Sequence, residues 1–231
     1  IRRKSSGTGP LIADRLQRWL ALTPRTEAGE LDRPVEKTRI LYLRAESAAR
    51  AIARFKVGES EMVLGGQFQH LPYLAVAGLD GGAIKFDPVS GLFGLVFVEE
   101  SWFLGEAQNR EAIAMAIDRS ALLSSLNLGE WQYTTRLVPD SVDEYGSISP
   151  ERWSDQSIDQ RRAIARQRIQ RWVDDHGAIA PLRIALPEGP GSRLLFARLK
   201  ADLASVGLDS VQVPMRADAD LRLIDEAASY G

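Results

Sequence analysis

The chain has 231 residues, enough for one large domain or parts of two. Apolar residues make up 45% and charged residues 26%, ordinary for a globular protein, and a formal net charge of −2 leaves no global field to attract nucleic acid or an anionic membrane. There is no cysteine, which excludes disulfides, thiolate catalysis and cysteine metal sites.

In chain order, SSGTGP (5–10) is a turn cluster punctuated by Gly7, Gly9 and Pro10. LIADRLQRWLALTPR follows. Its apolar positions partly alternate, as in Trp19, Leu20 and Leu22, so strand and helix both fit. LDRPVEKTRILYLRAE places Ile40 and Tyr42, with Thr38, on one face and predicts a strand entered by Pro34. SAARAIARFKVGES predicts a helix with Ser47 as N-cap, a buried stripe of Ala48, Ile52 and Phe55, and Gly58 at its end. EMVLGG is a short strand candidate. Residues 34–65 thus read strand–helix–strand, the unit of an open α/β sheet.

FQHLPYLAVAGLDGGAIKFDP is turn-rich, and GLFGLVFVEE (91–100) is a continuous apolar run expected to be a buried strand. Residues 105–127 are helical with Ile113, Met115, Ala116 and Ile117 on a broad apolar face. Asp118 can cap a second helix that Gly129 closes. After an irregular stretch (137–155), QSIDQRRAIARQRIQRWVDDHGA predicts a long helix burying Ala165, Ile169, Trp172 and Val173, with His176 and Gly177 at its end. PLRIALPEG is a strand, SRLLFARLKADLASVGL a helix capped by Ser192 and ended by Gly207, and DSVQVPM and ADLRLID are two further strands. No apolar run approaches the roughly 20 residues a membrane helix needs, and no signal-peptide pattern is visible. The chain opens on Ile1 mid-phrase, so the expectation is a fragment whose missing start would carry any export signal.

The chemistry-bearing residues are sparse. No Walker loop or G-x-S-x-G elbow is present. In EGPGSRLLF, Gly191 and Ser192 fall at a helix N-terminus, where a cap and turn compete with an anion site. Neither His70 nor His176 has a second histidine at ligand spacing, so no metal site is expected. Glu99 and Glu100 are adjacent on a strand and point to opposite faces, which does not make an acid/base dyad. Asp218 and Asp220 lack the glycine and spacing of a calcium loop. Trp102 and Trp131 lie in loops, where an exposed indole is harder to explain by packing than on a helix stripe.

Several short pieces, in order, resemble one family. GTGP (7–10) is similar to a G-T-G-P-Y strand entry, with Leu11 where tyrosine is usual. Residues 34–63 are similar to a segment that ends in an acid, here Glu61 where aspartate is usual. GLFGLVFV leads into NREAIAMAIDRSALL, similar to a family strand and its following "vRqAlayAIDr" helix, with Val98 where asparagine is usual and Asn109 where valine is usual, beside Arg110. LVP (137–139) and the helix–strand–helix–strand run after it continue the match. Together they resemble the peptide/nickel-binding solute-binding proteins of ABC importers, family 5, over nearly the whole chain.

That resemblance implies an α/β, two-lobed periplasmic-binding-protein fold of type II with incomplete lobes. It implies one partial lobe over 1–97, a second over 98–231, and a crossover near Phe97–Glu100. The function implied is reversible binding of a small solute, most simply an oligopeptide, and its delivery to a membrane permease. It further implies no catalysis, a periplasmic or cell-surface location and a monomer; no cofactor, metal or nucleic-acid partner is expected. Asp118 and Arg119 are then structural, as a cap and an ion pair. Interlobe clefts favour aromatics with a few placed polar groups, which makes Glu99, Glu100, Trp102 and the more distant Trp131 the candidate ligand contacts. Two alternatives stay open: a carboxylate-dependent hydrolase or transferase using acids near Glu99, Glu100, Asp218 and Asp220, and a non-transporting scaffold or sensor.

Overall fold

The structure, a computed structural model, describes residues 11–16, 19–24, 41–79, 81–86, 91–98, 102–126, 131–136 and 151–227. The turn cluster at 5–10, the Pro34–Ile40 strand entry, Glu99, Glu100, Gly129 and the 137–150 stretch lie outside the described residues. Backbone contacts divide the chain into two compact units, Ile1–Val63 and Leu64–Gly231.

In the first unit, β1 (Leu11–Leu16) and β2 (Trp19–Pro24) pair antiparallel, with Leu16 opposite Trp19 and Leu11 opposite Pro24. The partial alternation of this stretch therefore has the strand period rather than the helical one. β2 also pairs antiparallel with β3 (Leu41–Leu43), Leu20 opposite Leu43. Helix α1 (Ala48–Lys56) follows and buries Ile52, with Ala48 and Phe55 half-buried along the same stripe. Gly58, at φ 77°, takes the left-handed conformation that ends it. Arg54 on α1 donates from Nε to Glu46 Oε1 at 3.1 Å, and Arg44 approaches the same carboxylate at 3.4 Å.

EMVLGG is not a strand. Residues 61–66 are irregular, and Met62 and Leu64 are exposed. β3 takes its partner from the preceding strand, so the three-stranded sheet is antiparallel and no strand–helix–strand unit forms here.

The second unit holds a four-stranded sheet in the order β4-β7-β5-β6, formed by β4 (Gly91–Phe97), β5 (Leu182–Leu186), β6 (Ser210–Pro214) and β7 (Leu221–Ala227). β5 is parallel to both β6 and β7, while β4 runs antiparallel to β7. The parallel step from β5 to β6 needs a crossover, and α6 (Pro190–Ala204) supplies it. The expected alternation of helix and strand in this half is therefore present.

Four more helices complete the unit: α2 (Leu71–Ala77), α3 (Ala107–Ala116), α4 (Arg119–Ser125) and α5 (Ile158–His176). α5 starts on a reciprocal capping box, in which Ser157 and Gln160 each bond the other's backbone N–H. Its buried face is Ala165, Ile169 and Trp172, as the sequence spacing predicts. α6 buries Leu195, Leu199 and Leu203, one residue per turn, against Leu182, Ile184 and Leu186 of β5 and Leu221 and Leu223 of β7 within one apolar cluster.

Three local expectations change. The turn-rich 67–83 stretch contains a 3-10 turn (Phe68–His70) and α2; Pro72 sits in the first turn of that helix and Gly78, at φ 61°, ends it. Its turn residues are thus the start and stop of a short helix. Ser192 does not cap α6. Gly189 holds the N-cap position because Pro190, with no N–H to satisfy, starts the helix three residues earlier. β4 is a sheet-edge strand, so its continuous apolar run is half-buried rather than enclosed.

The 97/98 boundary falls inside the second unit. β4 pairs with β7 from Gly91 opposite Ala227 to Phe97 opposite Leu221, and Val98 N–H continues the ladder to Asp220 O at 2.9 Å. Phe68, Phe93, Leu95 and Phe97 share one apolar cluster with residues from 103 to 223.

Candidate functional site

Where β4 ends, the chain passes to α3, and the two faces of α3 have different jobs. Asn109, Ala112, Ile113 and Ala116 lie on one side and are buried. Ala107, Arg110, Glu111 and Ala114 lie on the other, at i, i+3, i+4 and i+7, and line a cleft of about 390 Å³. Phe97 and Trp153 also line it, with Arg119, Arg152 and Thr135.

Asn109 and Arg110 fasten the turn before the helix. The buried Asn109 Nδ2 donates to Phe103 O at 2.8 Å, and Arg110 Nη1 donates to Leu104 O and Gly105 O at 2.6 and 2.9 Å. The turn's orphan carbonyls are thereby satisfied by the two residues that begin the Asn-Arg-Glu-Ala stretch.

The Asp-Arg pair that breaks the helix serves two separate ends. Asp118 Oδ1 accepts from Ala121 N–H at 3.0 Å and caps α4 as expected. Its ion pair, however, is with Arg198 on α6, at 3.4 Å, and not with its neighbour Arg119. Asp118 N–H donates to Asp202 Oδ2 at 3.0 Å. Asp202 is itself buried and meets Arg162 at 2.6 Å and Arg198 at 3.2 Å. Burial pushes the Asp202 carboxyl up, against the Asp118 N–H and the two guanidinium groups that favour its charged form.

Arg119 turns away from this knot. Its Nη1 donates to Ala114 O at 3.0 Å, while Arg162 Nε donates to Ala116 O at 3.1 Å, so two cations meet the carbonyl end of α3. Arg119 is half-buried and, among the described residues, makes no ion pair. Burial lowers its proton affinity, the Arg161 charge lowers it further, and Glu151 partly offsets both.

The carboxylates around the cleft are already committed. Glu111 is held by Arg168 at 2.6 Å and by Arg152, and these bonds outweigh its desolvation and keep its carboxyl below the usual range. Glu151 is opposed by desolvation, but Thr134, Thr135 and Arg136 all donate to it and hold its pKa at about 2. Trp153 has φ 56°, a left-handed backbone that is strained for any residue with a side chain, and the Arg152 guanidinium lies 5.1 Å from the centre of its ring.

Of the ligand contacts expected from sequence, Trp102 and Trp131 lie among the described residues. Glu99 and Glu100 lie outside the described residues. Trp102 is 60% exposed and packs on Trp172 at 4.3 Å between ring centres; His176 in turn stacks on Trp172 at 4.6 Å. Trp131 is half-buried, edge-on to Phe93 at 5.7 Å and to Phe86 at 6.3 Å. Neither tryptophan is in the lining of the 390 Å³ cleft. Sequence reasoning did not single out Arg152 and Trp153 and took Arg119 as structural. The left-handed Trp153 and the distant partner of Asp118 leave no local signature in the residue order.

Of the acids proposed for catalysis, Asp218 and Asp220 lie among the described residues. Asp220 is bound by Arg183 through Nη2–Oδ1 at 2.8 Å and through the Arg183 backbone N–H at 2.7 Å, and Asp218 is exposed. The N-terminus of α6, the other anion candidate, is packed against the chain: a Cβ on Gly191 would sit 2.4 Å from Phe68 O. Among the described residues there is no group of three or more His, Asp or Glu that could hold a metal, and no helix is long and apolar enough to cross a membrane.

No protein family's sequence profile matches the chain, and no curated relative does. Solved structures do resemble it. OppA from Burkholderia pseudomallei superposes with a TM-score of 0.65 at 14% identity, covering 94% of this chain and 45% of its own. NikA from Brucella suis, solved with Fe(III)-EDTA, gives 0.62 at 13% identity, covering 94% and 47%. The periplasmic binding protein DppA from Helicobacter pylori, solved with the peptide STSA, gives 0.62 at 15% identity, covering 94% and 42%. The chain spans less than half the length of each. Over that part of their length its fold is the α/β fold of these three proteins.

Proposed function

We propose that the chain is part of the solute-binding component of an ABC importer, and that it binds a small solute reversibly, of the oligopeptide class, for delivery to a membrane permease. The observation that carries this reading is the likeness to OppA, NikA and DppA over 94% of the chain. A cleft of about 390 Å³ between β4, α3 and Trp153 is of ligand-pocket size and is consistent with it. The 97–100 stretch is the proposed crossover between lobes, and lobe closure over solute would shift an open–closed population. The proposed location is periplasmic or at the cell surface, and the proposed state is a monomer. Glu99, Glu100, Trp102 and Trp131 are kept as proposed contacts of a solute held between lobes.

The test is to incubate the protein with a pool of di- to pentapeptides, separate it from free peptide, and identify what it retains by mass spectrometry. Retention of intact peptides is expected. Peptides recovered as fragments, or no retention, would contradict the proposal. No described observation favours the carboxylate-catalyst alternative, since Asp220 is neutralised by Arg183 and Asp218 is exposed.

A further inference from the structure

We infer that the cleft beside β4 and α3 binds the carboxylate of a small solute through Arg119. The inference rests on the solute-binding reading and names the ligand chemistry of one site within it.

Three observations converge. The first is charge. Arg110, Arg119 and Arg152 line the cleft against one acid, Glu111, a lining charge of three minus one, or +2. The second is commitment. Arg110 gives its Nη1 to the Leu104 and Gly105 carbonyls, which ties it to the turn, and Arg152 gives its Nη2 to Glu111 and lies over the Trp153 ring. Glu111 and Glu151 are each saturated by arginines or threonines. Arg119 has five N–H donors and, among the described residues, one acceptor, Ala114 O. None of its nitrogens is among the buried, unpartnered atoms of the described residues, so its remaining donors stay accessible to an anion in the cleft. The third is shape. Trp153 is held at φ 56° at the wall of the cleft, and strained conformations of this kind persist where the surrounding structure uses them.

The chemistry points to a carboxylate rather than a phosphate. The Arg119 guanidinium can form a planar, two-bond match to one monoanionic carboxylate. The rest of the wall combines apolar Phe97, Ala107, Ala114 and Trp153, which suit a short aliphatic body behind the acid, with the polar Gln108 and Thr135.

The test compares tri-alanine with its C-terminal amide, and succinate with phosphate, by calorimetric titration at fixed ionic strength. Tri-alanine is expected to bind at least about 10-fold more tightly than the amide, the scale of a charge-assisted pair. Arg119→Met is expected to bring that ratio to about 1 and Arg119→Lys to keep part of it. In the ¹H–¹⁵N spectrum the Arg119 Nε–H resonance, assigned by its loss in Arg119→Lys, should move with added acid and not with amide. If Arg119→Met fails to fold, the acid–amide ratio and the Nε–H shift on the unaltered protein decide the matter. Equal affinity for acid and amide, phosphate binding as tight as succinate, or no saturable binding of either carboxylate would overturn the inference. Equal affinity for acid and amide would leave the solute-binding reading standing, whereas failure to retain any peptide of the pool overturns that reading itself.

Discussion

Asp118 and Asp202 form the most consequential side-chain knot, because one carboxylate caps α4 and the other is buried among Arg162, Arg198 and a backbone N–H. Asp202→Ala would strand the Arg162 and Arg198 charges and is expected to cost about 3 kcal/mol, the scale of a broken buried pair. Asp118→Ala removes the cap and the Arg198 partner and should cost about 1–2 kcal/mol. Urea denaturation of both variants checks the order; equal and small losses would mean that the knot is not a structural element. The pH dependence has a defined sign. Glu151, held at about 2 against an ordinary 4.5, adds stability that is complete above pH 4.5 and is lost as pH falls toward 2. Glu111 is displaced in the same direction. Asp202, pushed up by burial, works in the opposite sense and loses stability as pH rises through its folded pKa. Denaturation midpoints at pH 6 and pH 3 should therefore differ less in Glu151→Gln than in the parent protein. An identical drop in both would contradict the role given to the Thr134–Thr135–Arg136 cage.

At the scale of elements, α6 is fixed at both its N-terminal turn and its buried stripe. Gly191→Ala would place a Cβ 2.4 Å from Phe68 O and 2.8 Å from Gln69 Cα, both backbone atoms, so the 3-10 turn must move. A loss of about 1–3 kcal/mol is expected, as for other overpacked sites. Leu199→Ala should cost about 2–5 kcal/mol, because Leu199 is 1% exposed in the centre of the stripe. A thermal melt distinguishes the two, and a Gly191→Ala protein as stable as the parent would show that the close approach is not constraining. The elements were unevenly legible. α3, α4, α5, α6 and the strands β4 to β7 follow from spacing alone, since period 3.6 and short apolar runs are local properties. EMVLGG failed because a strand also needs a neighbour, and β3 is paired to β2 instead. LPYLAVAG failed in the other direction, since Pro72 and Gly78 bound a helix of seven residues that is too short to show a periodic stripe. In the site, the cap at Asp118 was readable, but its Arg198 partner lies 80 residues away and the left-handed Trp153 has no signature in the residue order.

For the whole molecule, two facts set the account. The chain superposes over 94% of its length on proteins of which it covers less than half. Within the chain, the contact division lies at Val63–Leu64, because the β4–β7 ladder binds residues 91–98 to the second unit. The central claim is reversible binding of a small solute, and calorimetric titration with an individual peptide retained from the pool tests it most directly, with the ligand recovered and weighed afterwards. The account predicts a saturable one-to-one heat with a negative heat-capacity change from buried apolar surface, and intact peptide at the end. No saturable heat, or peptide recovered in pieces, would contradict it.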